Sequence, residues 1–261
     1  MIEVQNVSKQ YILSKQQKKE LQTNEASVFA VNNVSLTCTP GKVFSLLGAN
    51  GAGKTTILRM ISTILRPTQG NILVGGESVI GNPEKVRRKI GFLTGSTNLY
   101  DKLTPGEIVK YFADLHGLDK ATFDQRKDML FTKLNIHEFS KKRIAQLSTG
   151  MKQKVSIARS MIHDPQIVIF DEPTSGLDVI TAHSIIELIQ QCKAEGKTII
   201  FSSHIMSEVE LLCDDLAIIS KGNLIYNDTM HNFKQAYQHQ SLTEAFITIV
   251  KSNSPKLTVA H

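Results

Sequence analysis

The stretch Val43-Phe44-Ser45-Leu46-Leu47-Gly48-Ala49-Asn50-Gly51-Ala52-Gly53-Lys54-Thr55-Thr56 decides how this chain folds. Val43 to Leu47 is a near-continuous apolar run of strand length, the pattern of a strand covered on both faces. It ends at once in a glycine-rich loop, after which Ile57, Leu58, Ile61 and Leu65 repeat at helical spacing. Strand, loop and helix in that order are the context in which Gly48-x4-Gly53-Lys54-Thr55 reads as a phosphate-binding loop. Its glycines let backbone N–H groups converge on phosphate oxygens, and the following helix presents its positive end. Lys54 supplies a point charge near the β- and γ-phosphates, and Thr55 a hydroxyl for Mg2+. A ligand-free glycine-rich turn is the plain alternative, and the flanking strand and helix argue against it. The expectation is a nucleoside triphosphate site held by Gly48, Asn50, Gly51, Gly53, Lys54, Thr55 and Thr56.

Outward from the loop, the chain alternates strands and helices, which gives βαβ crossovers and a mostly parallel sheet. Ile167-Val168-Ile169-Phe170 and Thr198-Ile199-Ile200-Phe201 read as buried strands, with a helix from about Ile180 to Ala194 between them. A helix from Met206 to Cys213 and a strand Leu216-Ala217-Ile218-Ile219 follow, and Lys221-Gly222-Asn223 leads into a closing hairpin. On the N-terminal side, Ile2 to Val7 alternates as a half-buried strand, and Val28 to Val31 with Val34 to Leu36 forms a second alternating stretch. Ser14 to Asn24 is polar, Lys/Gln-rich and without apolar periodicity, so a flexible surface excursion is expected there. From about Leu103 to Ile162 the pattern turns helical, with a polar insertion at Asp119 to Asp128, which suggests a helical lobe inserted in the α/β core. The expected organisation is one domain over 1–227, with the lobe at about 96–162, then a short helical extension and a loose tail over 228–261.

The apolar strand ending at Phe170 delivers Asp171 and Glu172 side by side at its C-terminal end, where open α/β sheets place their ligands. Asp171 is positioned to address a metal and Glu172 an attacking water. An ordinary acidic strand end would be as good an account of Asp-Glu alone; beside a phosphate-binding loop it is a poor one.

The 261 residues carry 30 Lys and Arg against 24 Asp and Glu, a net charge of +6, with hydrophobic and charged fractions of an ordinary globular chain. Disorder of the whole chain is excluded, and no apolar run approaches the ~20 residues that cross a bilayer. The N-terminus lacks the basic and apolar regions of a signal peptide, and three widely spaced cysteines, Cys38, Cys192 and Cys213, suggest a reducing, cytosolic setting and packing roles. The basic clusters Lys15 with Lys18-Lys19, Arg87-Arg88-Lys89 and Lys141-Lys142-Arg143 are not interleaved with aromatics, so solvated faces account for them better than nucleic acid does.

With those residues in view, the chain resembles the ATP-binding-cassette ATPases from Ile2 to about Asn227. Leu147-Ser148-Thr149-Gly150-Met151 is similar to the family's signature motif, Asp171-Glu172-Pro173-Thr174 to its Walker B motif, Ser175-Gly176-Leu177-Asp178 to its D-loop, and Ser202-Ser203-His204 to its switch histidine. Tyr11 stands where the family stacks a ring on adenine. The resemblance implies an α/β P-loop NTPase fold with an antiparallel β subdomain and an inserted helical lobe, with ATP and Mg2+ as ligands and Thr55 and Asp171 toward the metal. It implies Glu172 as general base, His204 and Lys54 toward the γ-phosphate, and Ser148, Gly150 and Asp178 facing the nucleotide of a second copy, so that two chains sandwich two ATP molecules head to tail. Ser148 also suits an ordinary N-cap, because Val155, Ile157, Ala158, Met161 and Ile162 follow at helical spacing.

Two departures stand out. Thr94-Gly95-Ser96-Thr97-Asn98 has no glutamine where the family's Q-loop carries one, and Met151 replaces the usual glutamine ending the signature. Both features look like the NatA-type ATP-binding subunits of sodium-efflux transporters, in the exporter branch. The expected role is an ATPase at the cytoplasmic face of the cell membrane, driving a separate integral-membrane permease because the chain has the hydrolytic set without a spanning run of its own. Leu99, Tyr100 and Phe112 are candidates to receive permease loops, with core packing as the ordinary alternative for each. A soluble cassette acting on ribosomes or nucleic acid is the competing class; its tandem-cassette and coiled-coil architectures do not fit a single cassette with a short interval from Lys54 to Leu147.

Overall fold

A computed structural model of the chain describes residues 1–20, 23–94 and 99–253. Among the described residues ten strands form two sheets. The first is antiparallel and built from β1 (Ile2–Ile12), β2 (Ser27–Cys38), β4 (Gln69–Val74) and β5 (Glu77–Ser78) in the order β2-β1-β4-β5. The second has the order β10-β9-β3-β8-β7-β6, from β3 (Val43–Leu47), β6 (Ile90–Thr94), β7 (Ile167–Asp171), β8 (Thr198–Ser203), β9 (Asp215–Ser220) and β10 (Asn223–Thr229). Its pairs are parallel except β9 with β10, which close the edge as an antiparallel hairpin. The chain is α/β, as the strand and helix alternation requires.

The continuous apolar runs follow from burial on both faces. Val43 and Leu47 of β3 join Val168, Phe170, Ile199 and Phe201 in a core that continues into the helical lobe. Phe44 and Leu46 of the same strand join Ile169, Ile200, Ala217 and Ile219 in a second core beneath the antiparallel sheet, with Ile57, Leu58 and Ile61 of α2 (Lys54–Ile61). A strand whose alternate residues both meet apolar layers has no position left for a solvated side chain.

The lobe comprises α4 (Pro105–Leu115), α5 (Lys120–Lys133) and α6 (Thr149–Met161), with 3-10 turns at His137–Phe139 and Ile144–Gln146. The polar stretch Asp119 to Asp128, read from sequence as an insertion, is the first half of α5. Asp119 caps that helix, accepting from Thr122 N over 2.9 Å, and the helix buries only Phe123, Leu130 and Phe131, so its remaining surface is polar apart from Ala121 and the exposed Met129. The surface excursion expected over Ser14 to Asn24 contains a helix that the sequence did not announce, α1 (Lys15–Glu20), with no buried residue. Reciprocal bonds start it: Ser14 N donates to Gln17 Oε1 over 2.9 Å, and Gln17 N to Ser14 Oγ over 3.2 Å. Between β5 and β6 runs α3 (Pro83–Lys89). After α7 (Val179–Ala194) and α8 (Met206–Leu212), two short helices, α9 (Met230–Ala236) and α10 (Leu242–Ser252), lie beyond the last strand. Residues 95–98, which include the position of the missing glutamine, and the tail over 254–261 lie outside the described residues.

All three cysteines are buried free thiols; burial pushes Cys192 up to about 11 and Cys213 up to about 12, so they pack rather than react. No helix among the described residues is long and apolar enough to cross a membrane.

Candidate functional site: a phosphate-binding cradle at the sheet's C-terminal edge

β3 lies between β8 and β9, and β7 lies beyond β8, so the C-terminal ends of β3, β8 and β7 stand side by side. The loop from Gly48 to Gly53 leaves β3 there. Its shape requires glycine at two positions. A Cβ on Gly48 would stand 2.4 Å from Ile219 O, and one on Gly53, whose φ is 111°, would stand 2.4 Å from Ala30 O. The loop is pressed between the two sheets, and Gly222 N donating to Ala52 O over 2.9 Å ties it to the β9–β10 turn. The backbone thereby curls around an open cleft of about 310 Å³ lined by Ala30, Asn50 to Thr56 and Glu172. A larger cavity, about 590 Å³, lies between α3, β6 and the lobe and holds none of the loop's residues.

Lys54 is 3% exposed, and its ammonium donates to Gly48 O over 2.7 Å and Ala49 O over 3.1 Å. Its Nζ stands 3.4 Å from Glu172 Oε1, and the same oxygen is 3.4 Å from His204 Nδ1. Thr55 Oγ1 donates to Asp171 Oδ1 over 2.9 Å. That carboxylate oxygen also accepts from Ser202 Oγ over 2.8 Å, and Ser202 Oγ accepts from Glu172 N over 3.0 Å. The structure thus brings Gly48, Asn50, Gly51, Gly53, Lys54, Thr55, Thr56, Asp171, Glu172 and His204 into one site. Sequence reasoning quoted Ser202 only as part of the stretch leading to His204 and gave it no role; its signal was a hydroxyl next to the end of β8, where it is 0% exposed.

Ser148, Gly150 and Asp178 form a second group. Ser148 caps α6, accepting from Met151 N over 3.3 Å. Asp178 caps α7, accepting from Thr181 N over 2.9 Å and Thr181 Oγ1 over 2.8 Å, and these donors hold its carboxyl below the usual carboxylate range. A Cβ on Gly150 would stand 2.9 Å from Thr181 Oγ1, so the two helix N-termini abut. Among the described residues no hydrogen bond or ion pair joins this group to Lys54, Thr55 or Asp171. Tyr11 is 39% exposed on β1, with Lys9 Nζ 5.4 Å from its ring centroid, and it does not line the cleft. Of the exposed apolar candidates, Tyr100 is open to solvent, whereas Leu99 and Phe112 are partly buried against the lobe's core.

Residues 31–175 match the family described as ABC transporter. The chain belongs to the ABC transporter family. Among curated relatives of this ABC ATPase, the ABC transporter ATP-binding protein NatA of Bacillus subtilis (strain 168) is 42% identical over 88% of the chain and 94% of that relative. The lantibiotic transport ATP-binding protein SrtF of Streptococcus pyogenes is 36% identical over 82% of the chain and 92% of its own length. The linearmycin resistance ATP-binding protein LnrL of Bacillus subtilis (strain 168) is 36% identical over 75% of the chain, which spans 63% of that relative. A solved ATP-binding subunit of an ABC transporter superposes with a TM-score of 0.82 at 27% identity, covering 95% of this chain and 99% of that one. An ATP-binding cassette in a dimeric post-hydrolysis state, bound to ADP and Pi, superposes with a TM-score of 0.77 at 25% identity, covering 88% and 99%. The chain is accordingly an ATP-binding ATPase.

Proposed function

We propose that this ABC ATPase is the motor subunit of a membrane exporter, cycling between separate chains and a head-to-tail pair that sandwiches two ATP molecules. The observation that carries the reading is the convergence of Lys54, Thr55, Asp171, Glu172 and His204 at adjoining strand ends. ATP enters the cleft with its phosphates against the backbone of Asn50 to Thr56. Lys54 exchanges two carbonyl acceptors for phosphate oxygens and remains fully paired while doing so. Glu172 holds the attacking water as general base, and His204 orients the γ-phosphate from the neighbouring strand end. The donor set of a hydroxyl and a carboxylate oxygen, hard and 2.9 Å apart, suits Mg2+ held by Thr55 and Asp171. Bound there, the ion supplies charge neutralisation for the transferred phosphoryl group.

Ser148 and Gly150 open α6, whose N-terminal N–H groups favour an anion and suit the γ-phosphate of a second copy, with Asp178 beside them at the capped N-terminus of α7. The dimeric neighbour bound to ADP and Pi supports that pairing. The partner is an integral-membrane permease, which would hold the chain at the cytoplasmic face of the membrane, and the likeness to NatA is what supports sodium efflux as the work done. The test is purification from membranes of tagged Glu172→Gln protein with ATP and Mg2+, because blocking hydrolysis traps the closed pair. Recovery of a polytopic membrane protein with two copies of this chain is expected. Recovery of ribosomes or nucleic acid in its place defeats the transporter reading and makes the soluble class the answer.

A further inference from the structure

The main chain of Glu172 sits at φ 50°, in the left-handed region that a residue with a side chain enters at a cost. Such a conformation persists where the surroundings over-determine it. Ser202 holds the Glu172 amide, and two buried polar side chains outside the site hold the two residues that follow it. Gln153 of α6, 2% exposed, donates through Nε2 to Pro173 O over 3.1 Å. Glu208 of α8, 7% exposed, accepts from Thr174 Oγ1 over 2.5 Å with one carboxylate oxygen and from Ser203 Oγ over 2.9 Å with the other. Ser203 Oγ in turn accepts from Ile205 N over 3.0 Å.

Thr174 lies just beyond Glu172, while Ser203 and Ile205 flank His204. One carboxylate therefore joins the turn that carries Glu172 to the turn that carries His204, and those two side chains approach to 3.4 Å. Burial of a glutamate is costly without a cation, and among the described residues no ion pair reaches Glu208. Two hydroxyl donors offset part of that cost. For packing alone an apolar side chain would serve α8 as well or better. Glu208 does not line the cleft, so any effect on hydrolysis passes through the residues it ties.

We infer that Glu208 is a positioning residue for ATP hydrolysis, fixing the distance and orientation between Glu172 and His204 through Thr174 and Ser203. The inference rests on the roles given to Glu172 and His204 above. Its signature is a loss in the chemical step with ATP binding kept, because the phosphate cradle does not depend on the tie.

The experiment measures steady-state hydrolysis, ATP affinity and thermal unfolding on the purified full-length chain. The variants are Glu208→Ala, Glu208→Gln and Thr174→Val, with Glu172→Gln as reference. Glu208→Ala is expected to lower kcat by about 10- to 100-fold while the ATP Kd stays within about 3-fold. Glu208→Gln, which still accepts from one hydroxyl and donates to the other, is expected to recover most of the loss. Unchanged kcat in Glu208→Ala beside an inactive Glu172→Gln overturns the inference and leaves the reading of Glu172 standing. Hydrolysis that survives in Glu172→Gln overturns that reading itself. Where Glu208→Ala does not fold, Thr174→Val decides: a kcat loss with ATP binding kept supports the tie. Parallel loss of kcat, affinity and melting temperature marks a structural role and overturns it.

Discussion

The hydroxyl of Thr55 donates to Oδ1 of Asp171 over 2.9 Å, joining the first turn of α2 to the end of β7 across the intervening strand β8. The contact brings two hard oxygen donors of the kind Mg2+ takes to one point beside the cradle. Thr55→Val and Asp171→Asn should each lower Mg2+-dependent hydrolysis by about 100-fold or more, the scale of a lost group that stabilises transition-state charge. Nucleotide affinity without Mg2+ should change little, because the backbone of the loop and Lys54 are untouched. Titration of hydrolysis against Mg2+, with chelator as the zero point, checks this: a normal Mg2+ dependence in both variants would remove these residues from the metal.

Glycine at position 48 answers to a close approach, whereas glycine at 106 does not. A Cβ on Gly48 would stand 2.4 Å from Ile219 O and 3.2 Å from Ala52 Cβ, and the backbone of β9 cannot yield to it. Gly106, in the first turn of α4, has no neighbour among the described residues within 4 Å of its would-be Cβ. Gly48→Ala should destabilise the chain by about 1–3 kcal/mol and abolish ATP binding. Gly106→Ala should stabilise it by about 0.5–1 kcal/mol through the unfolded chain and the helix propensity of alanine. Denaturant unfolding of the two variants against the parent chain reads both signs.

The cradle and the parallel sheet were legible in the sequence because apolar runs of strand length end in turn signals and carry their chemistry at those ends. β3 with Gly48 to Thr55, and β7 with Asp171 and Glu172, each announce strand, terminus and ligand group in one stretch. Elements whose stability comes from local caps on polar sequence were not legible, α1 and the first half of α5 among them. Neither were β4, β5 and α3, which were not distinguished before the structure. Least legible were Ser202, Gln153 and Glu208, whose roles arise when segments far apart in sequence meet in the fold. A buried hydroxyl or carboxyl has no periodicity of its own to betray its partner.

His163 stacks on His116 with ring centroids 3.7 Å apart and planes within 2° of parallel. Its Nε2 lies 3.1 Å from Ile90 O, which fixes the proton there, and its buried Nδ1 has no hydrogen-bond partner among the described residues. Protonation would place a second N–H where nothing accepts it, beside another imidazole and near Arg126, with Asp164 opposing; burial first and then His116 push His163 down to about 4. The unfolded chain takes up that proton near pH 6.5, as ordinary histidine does. Between pH 6.5 and 4 the unfolded state therefore binds more protons than the folded one, so stability falls as pH is lowered through that window and is flat above it. His163→Gln should flatten the slope of melting temperature against pH between 4 and 6.5 relative to the parent; an unchanged slope would move the titrating group elsewhere.

Gly150 and Thr181 meet where the N-termini of α6 and α7 abut. A Cβ on Gly150 would stand 2.9 Å from Thr181 Oγ1 and 3.2 Å from its Cγ2. Thr181 cannot turn aside freely, since it is β-branched and its hydroxyl is held by Asp178 over 2.8 Å. Gly150→Ala must therefore displace one helix end or break the cap of α7, at a cost of about 1–2 kcal/mol. Thr181→Ala removes both clashing atoms and loses only the hydroxyl's bond, because the backbone N–H still caps on Asp178. The double variant should accordingly be more stable than the sum of the single changes implies, with a coupling of about 1 kcal/mol. If the two helix ends also form the face that meets a second copy, Gly150→Ala should weaken ATP-driven pairing in the Glu172→Gln background while ATP still binds each chain. Thr181→Ala should restore the pairing along with the stability. Sedimentation with and without ATP, set beside unfolding curves for the four members of the cycle, separates the two effects: recovered stability without recovered pairing would make the seam structural and place the dimer contact on other residues.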